Sequence, residues 1–202
     1  MSARRILLAG VLGGIAMFLW SAVAHMATPL ATTGVSEIPN EAAVLKELQG
    51  SIGHANGFYF FPGTGLPADA TSAQKQEAMR DSQKRLDASP SGILIYHPPG
   101  RQGITPTRLG RELGIEIVES LLLAFLLSLT TLRTMGSRVG FALLVGVTAA
   151  ITTNMPYWNW YGFPKSYTVA YITIEIVAYL VSGIVIALVA GRGTSRASGA
   201  AA

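Results

Sequence analysis

Residues 167–190 read YTVAYITIEIVAYLVSGIVIALVA, an apolar run that carries a single charge, Glu175. About 20 residues of this kind cross the hydrocarbon core of a bilayer as a helix. Lipid offers no water to backbone N–H and C=O groups, so a spanning run bonds within itself. A carboxylate at such depth is costly and turns toward protein or a wet cavity. The motif TIEIVAY, Thr173–Tyr179, is a near-copy of GIEIVES, Gly114–Ser120. Acids therefore enter apolar segments twice, and the rest of the chain is read around that repetition.

Three further apolar segments lie at 6–26, 113–132 and 139–153. The last is short and extends through Met155. The expected fold class is a mainly α membrane protein. It is a four-transmembrane-helix bundle with a small periplasmic α/β lobe inserted between helices 1 and 2. Residues 1–27 form the first transmembrane helix, 28–110 the lobe, 111–191 helices 2–4, and 192–202 a disordered cytoplasmic tail.

Composition agrees. Half of the 202 residues are hydrophobic and 13% are charged, too apolar for an ordinary soluble domain. Cysteine is absent, which excludes a disulfide framework, a thiolate metal site and thiol catalysis. The net charge of +4 does not mark a nucleic-acid binder, because residues 28–110 hold seven basic and seven acidic side chains. The excess flanks the apolar segments, as a membrane topology requires.

Six arginines set the orientation. Arg4 and Arg5 precede the first segment, Arg133 and Arg138 flank the turn between the second and third, and Arg192 and Arg196 follow the fourth. Four spans put all six on one side, which the positive-inside rule makes the cytoplasm. The expected location is a bacterial inner membrane, multi-pass, with both termini cytoplasmic. The lobe and the loop 154–166 are then periplasmic. A rival reading makes the first segment a signal peptide cleaved after Ala22-Val23-Ala24. That would leave His25 as a terminal residue able to chelate copper. The length of the apolar run favours an anchor.

In the lobe, Asn40 is placed to cap a helix reaching about Ser51, with Val44, Leu45, Leu48 and Ile52 on one face. FYFF, Phe58–Phe61, reads as a strand ended by Pro62-Gly63. Thr71 and Gln74 form a capping box for a polar helix to about Ala88. ILIY, Ile93–Tyr96, is a second strand. Strand, helix, strand predicts a parallel pair.

Aligning the two acidic motifs pairs Glu116 with Glu175, and His25 with Asn154. This describes two helical hairpins in parallel orientation, related by an axis along the membrane normal. Glu112, Glu116 and Glu119 share one helical face at i, i+4 and i+7, with Arg108 one turn from Glu112. Thr168, Tyr171, Glu175, Tyr179 and Ser182 form a stripe on the fourth segment. Thr148 and Thr152 on the third, and Ser21 and His25 on the first, are each one turn apart. The economical packing turns all of these inward as a polar core that includes Ser21, Thr152, Asn154, Tyr171 and Tyr179.

Three roles follow for the acids. With His25, Glu116, Glu119 and Glu175 could ligate a divalent transition metal such as Zn, Mn, Fe or Cu. They could share and relay protons. They could also be structural, bonded to Tyr and Thr across helices. PYWNWYGFP, Pro156–Pro164, brings Tyr157, Trp158, Trp160 and Tyr161 to the membrane interface as an anchor or a docking surface. His97 reads as a hydrogen-bonded loop residue and His54 as a helix-end residue. Gly10-xxx-Gly14, Gly136-xxx-Gly140 and Gly183-xxx-Ala187 permit close helix approach.

No Walker motif, GxGxxG, nucleophile elbow or haem signature occurs, so a soluble-type enzyme is not expected. The leading expectation is a non-enzymatic accessory or interaction protein. Its partners are the lipid bilayer and other membrane proteins or further copies of itself. The alternative is a metal- or proton-binding protein for transport or redox chemistry, using the His/Glu cluster.

Overall fold

The computed structural model describes residues 2–101 and 103–191. The expected disordered tail, with Arg192 and Arg196, lies outside them. Among the described residues the order is α1 (Ala3–Met26), α2 (Glu41–Ile52), β1 (Gly57–Phe61), α3 (Ser72–Ala88), β2 (Gly92–Tyr96), α4 (Pro106–Ser128), α5 (Met135–Tyr161) and α6 (Lys165–Gly191). The protein is mainly helical, with one small two-stranded sheet. Three helices, α1, α5 and α6, are long and apolar enough to cross a membrane. The fourth expected span, α4, is long enough but carries Arg108, Arg111, Glu112, Glu116 and Glu119.

The chain divides into a helical unit, built from the segments up to Val35 and from Ile104 onward, and a lobe, Ser36–Gly103. The lobe is therefore shorter than the expected 28–110. Residues 28–35 stay with the helices because Thr28 Oγ1 donates to Ala24 O at 2.7 Å and starts a 3-10 turn, Leu30–Thr32. Gly34, at φ +76°, then passes close to the start of α6, where a Cβ would stand 2.7 Å from the Tyr167 amide nitrogen. Residues 106–110 form the first turns of α4, which Thr105 caps by accepting from Arg108 N at 3.2 Å.

In the helical unit α1 packs against α4 and α6, and α5 packs against α6. Small residues set the closeness. A Cβ on Gly10 would lie 2.7 Å from Leu121 Cα, and one on Gly14 would lie 2.8 Å from Ile117 N, so α1 meets the backbone of α4 directly. Gly183 likewise sits against Ala142. The third small-residue pair, Gly136 and Gly140, has nothing within 4 Å and forms no such contact. Ala9, Leu123, Ala124, Leu127, Ala142 and Ile186 form the buried core. Outside it, Leu7, Leu19, Leu122, Leu144 and Leu188 are each more than half exposed. Water would penalise that surface and lipid would not.

The parallel hairpin duplication is not supported. The pairings α1–α4 and α5–α6 match, but α1 packs extensively on α6 whereas α4 and α5 barely meet. A two-fold axis would make those last two contacts equal. The third span also runs longer than expected. It continues through Pro156 to Tyr161, ending where Gly162 adopts φ +70° and Phe163 N donates to Tyr157 O at 3.3 Å. That is a left-handed glycine stop. Proline is tolerated inside membrane helices because neighbours re-satisfy the freed carbonyl. The aromatic run therefore forms the last turns of α5 and a three-residue turn, not a loop.

In the lobe the predicted elements form, but the strands are antiparallel, with Phe58 opposite Ile95 and Phe61 opposite Gly92. The connection explains this. Ten residues, 62–71, lead away from β1 before α3 starts. They include a turn, closed by Ala70 N donating to Pro67 O at 3.1 Å, and the 17 residues of α3 then run about 25 Å. The chain so returns to the end of β1 that it left. Arg85, in the last turn of α3, confirms the return by donating to Gly63 O at 2.8 Å. The Thr71–Gln74 capping box forms as expected. Asn40 does not cap with its side chain; it precedes α2 in the left-handed region, at φ 53°.

Candidate functional site

The acidic motifs lie at the end of the helical unit away from Arg133 and Arg138. On α4 the buried face runs through Glu116, Ser120, Leu123 and Leu127, at helical spacing. Glu116 is 7% exposed, and its Oε2 has no hydrogen-bond partner. Ser21 of α1 is the hydroxyl that faces this carboxyl, with Glu112 and Glu119 its nearest acids. On α6, Glu175 accepts from Asn154 Nδ2 of α5 at 3.0 Å and makes a long contact, 3.5 Å, with Thr153 Oγ1. Asn154 is itself buried and donates also to Ala150 O at 3.0 Å. Glu119 stands within electrostatic range of Glu175, and Tyr179 lies beside both.

The acids thus divide differently from the expected Glu116–Glu175 pairing. Glu119 is the residue of α4 that approaches Glu175, whereas Glu116 is turned toward α1. The helical geometry accounts for this: Glu116 and Glu119 are about 60° apart around α4 at 100° per residue, so they address different neighbours. Arg108 and Glu112 do not pair; among the described residues the one ion pair is Lys84–Asp81, at 3.0 Å on α3. There the Lys84 ammonium, by hydrogen bond and charge, holds the Asp81 carboxyl below its usual range.

The metal set does not assemble. His25 is exposed, its Nδ1 is 2.9 Å from Ser21 O on its own helix, and its ring meets Tyr171 edge-on at 6.2 Å. Among the described residues no group of three or more His, Asp or Glu side chains is placed to hold a metal ion. Thr152 also leaves the expected polar core. It is exposed and bonds back to Thr148 O at 2.8 Å, as Thr148 does to Leu144 O at 2.9 Å. A hydroxyl so bonded can face lipid without an unsatisfied donor.

Two polar contacts were missed by the sequence reading. Ser120 Oγ and Ser182 Oγ are 2.8 Å apart, both fully buried. They abut Gly13, where a Cβ would meet Ser182 Oγ at 2.7 Å, so α1, α4 and α6 join at one point. Ser120 lies one turn after Glu116, and that spacing was the available signal. Trp20 Nε1 donates to Ile174 O at 2.9 Å, the carbonyl next to Glu175; no pattern in the sequence announces it.

The aromatic segment is exposed, with Trp160 at 78%. Tyr157 contacts Phe163 at 5.4 Å, Phe163 contacts Tyr167 at 5.4 Å, and Tyr167 stacks on Tyr171 at 4.2 Å. This ladder braces the turn between α5 and α6. In the lobe, His97 Nδ1 is 3.0 Å from Asn56 Oδ1, the hydrogen-bonded loop histidine expected. Tyr96 OH donates to Gly53 O at 3.0 Å, tying β2 to the end of α2. His54 follows α2 in an exposed turn. No protein-family model, no curated protein and no solved structure matches this chain.

Proposed function

We propose that this chain is an accessory protein of a bacterial inner membrane, anchored by a four-helix bundle that includes α4, whose lobe docks a partner protein. One observation carries the reading: the lobe lacks a core of its own. Its buried hydrophobics are Ala70, Ala78 and Tyr96, while Phe58, Phe60 and Ile95 are each more than half exposed. Phe58 lies opposite Ile95, and Phe60 opposite Ile93, so these side chains share one face of the ribbon. A two-stranded ribbon is marginal alone, and an exposed apolar face of this kind marks an interaction surface. The arginine distribution supports cytoplasmic termini and a periplasmic lobe, and Tyr157, Trp158, Trp160 and Tyr161 form a second exposed aromatic surface, on the helical unit. The partner is another membrane protein or a second copy of this chain.

The test is native-gel migration from gently solubilised source membranes, with mass spectrometry of the band. Stoichiometric co-migration with other protein or a larger homo-oligomer is expected. The double variant Phe58→Ser/Phe60→Ser should lose it while remaining in the membrane. Migration as a lone monomer overturns the reading.

A second reading, a proton site, is favoured by the Glu116 carboxyl, which is buried with Oε2 unpartnered. A buried carboxylate oxygen without a donor is served by a proton or by a cation from outside. Glu119, Glu175 and Tyr179 continue the polar region toward α5. Infrared titration of the reconstituted protein should show a protonated-carboxyl band that Glu116→Gln removes. The same band persisting in that variant would end this reading.

A further inference from the structure

We propose that the opposite end of the helical unit carries a binding site for one anionic phospholipid, in the cleft between the α4–α5 turn and the last turns of α6. The cleft has a volume of about 300 Å³. Arg133, Arg138 and Thr131 line its polar side, and Leu127, Ile186 and Ala190 its apolar side. Arg138 is fixed in place, because its Nε donates to Leu132 O at 3.1 Å. Arg133 is exposed and makes no side-chain hydrogen bond or ion pair among the described residues.

Charge makes the site selective. No acidic residue occurs between Glu119 and Glu175, and none precedes Glu37. Both guanidiniums are therefore uncompensated by nearby carboxylates of the helical unit. Guanidinium binds phosphate oxygens in a planar fork, and the Thr131 hydroxyl offers a further donor. The place of the cleft in the fold points to the source of that phosphate. Leu127, Ile186 and Ala190 on the apolar side are themselves buried, but the cleft opens at the ends of α5 and α6, two helices long and apolar enough to cross a membrane, where the headgroups of a bilayer would lie. Basic pockets between helices on the cytoplasmic side suit anionic headgroups. The inference rests on the helices spanning a bilayer and is independent of what the lobe binds.

The test uses the full-length protein in detergent, titrated with phosphatidylglycerol or with phosphatidylcholine of the same chains, and read by native mass spectrometry. One phosphatidylglycerol should be retained at least about fivefold more than phosphatidylcholine, the factor expected of a single arginine near a phosphate. Arg133→Gln should lower that retention by about the same factor. Arg133 is exposed in a turn, so the variant folds. The control Arg4→Gln/Arg5→Gln removes two charges outside the cleft and should leave retention unchanged. Equal retention of the two lipids overturns the proposal, as does an unaltered Arg133→Gln protein. A loss in the control equal to that in Arg133→Gln would mean diffuse charge, not a site. Protection against thermal unfolding by inorganic phosphate equal to that by phosphatidylglycerol would assign the cleft to free phosphate and overturn it too.

Discussion

Gly14→Val should destabilise the helical unit by about 3 kcal/mol, the upper range for overpacking a filled interior. A Cβ at Gly14 would stand 2.8 Å from Ile117 N and 2.9 Å from Glu116 O. These are backbone atoms, so no rotamer change relieves the contact, and α1 must move away from α4. Separation would also pull Gly13 from the Ser120–Ser182 pair and expose two buried hydroxyls. Gly140→Ala is the matched comparison. Nothing lies within 4 Å of its Cβ, and replacing glycine inside a helix gains about 0.5–1 kcal/mol. Reversible unfolding in mixed detergent micelles separates the two. Equal midpoints for both variants would refute the close α1–α4 approach.

Asn154→Leu has the next largest expected effect, a loss of about 1.5 kcal/mol, near the top of the range for interhelical polar contacts in membranes. The change removes the 3.0 Å donor from Glu175 and leaves the long Thr153 contact in its place. An acceptor stripped of its donor costs more than the bond contributed. The double variant Asn154→Leu/Glu175→Leu should therefore be more stable than Asn154→Leu alone. A double-mutant cycle on the same unfolding assay gives the coupling. Purely additive effects would show that α5 and α6 are not joined through this pair.

Much of this architecture is legible in the chain. Apolar length marked the helices α1, α5 and α6, because lipid leaves the backbone few other folds. The capping box marked α3 through two residues, Thr71 and Gln74. The acids announced that α4 and α6 have polar faces, but not which acid meets which helix. That depends on rotation about each axis, and the choice between Glu116 and Glu119 turns on about 60°. Pro156 reads as a stop where a helix end is available, and only packing against α6 shows that α5 continues past it. The strand direction in the lobe follows the path of residues 62–91 back to Phe61, which local pattern does not encode. Ser120 was overlooked because a lone serine among leucines resembles filler until its partner on α6 is known.

The junction at Gly13 also bears on the order in which the protein is made. Its parts come from α1, α4 and α6, which leave the ribosome in that order. The α1–α4 pair can form early, but Ser120 finds Ser182 only after the whole of α6 has been synthesised. A nascent chain halted before that point holds a half-built seam, with Gly13 and Ser120 turned to lipid. Synthesis of α6 is thus the event that closes this seam, and chains cut short within α6 should be the ones that membrane proteases recognise and clear.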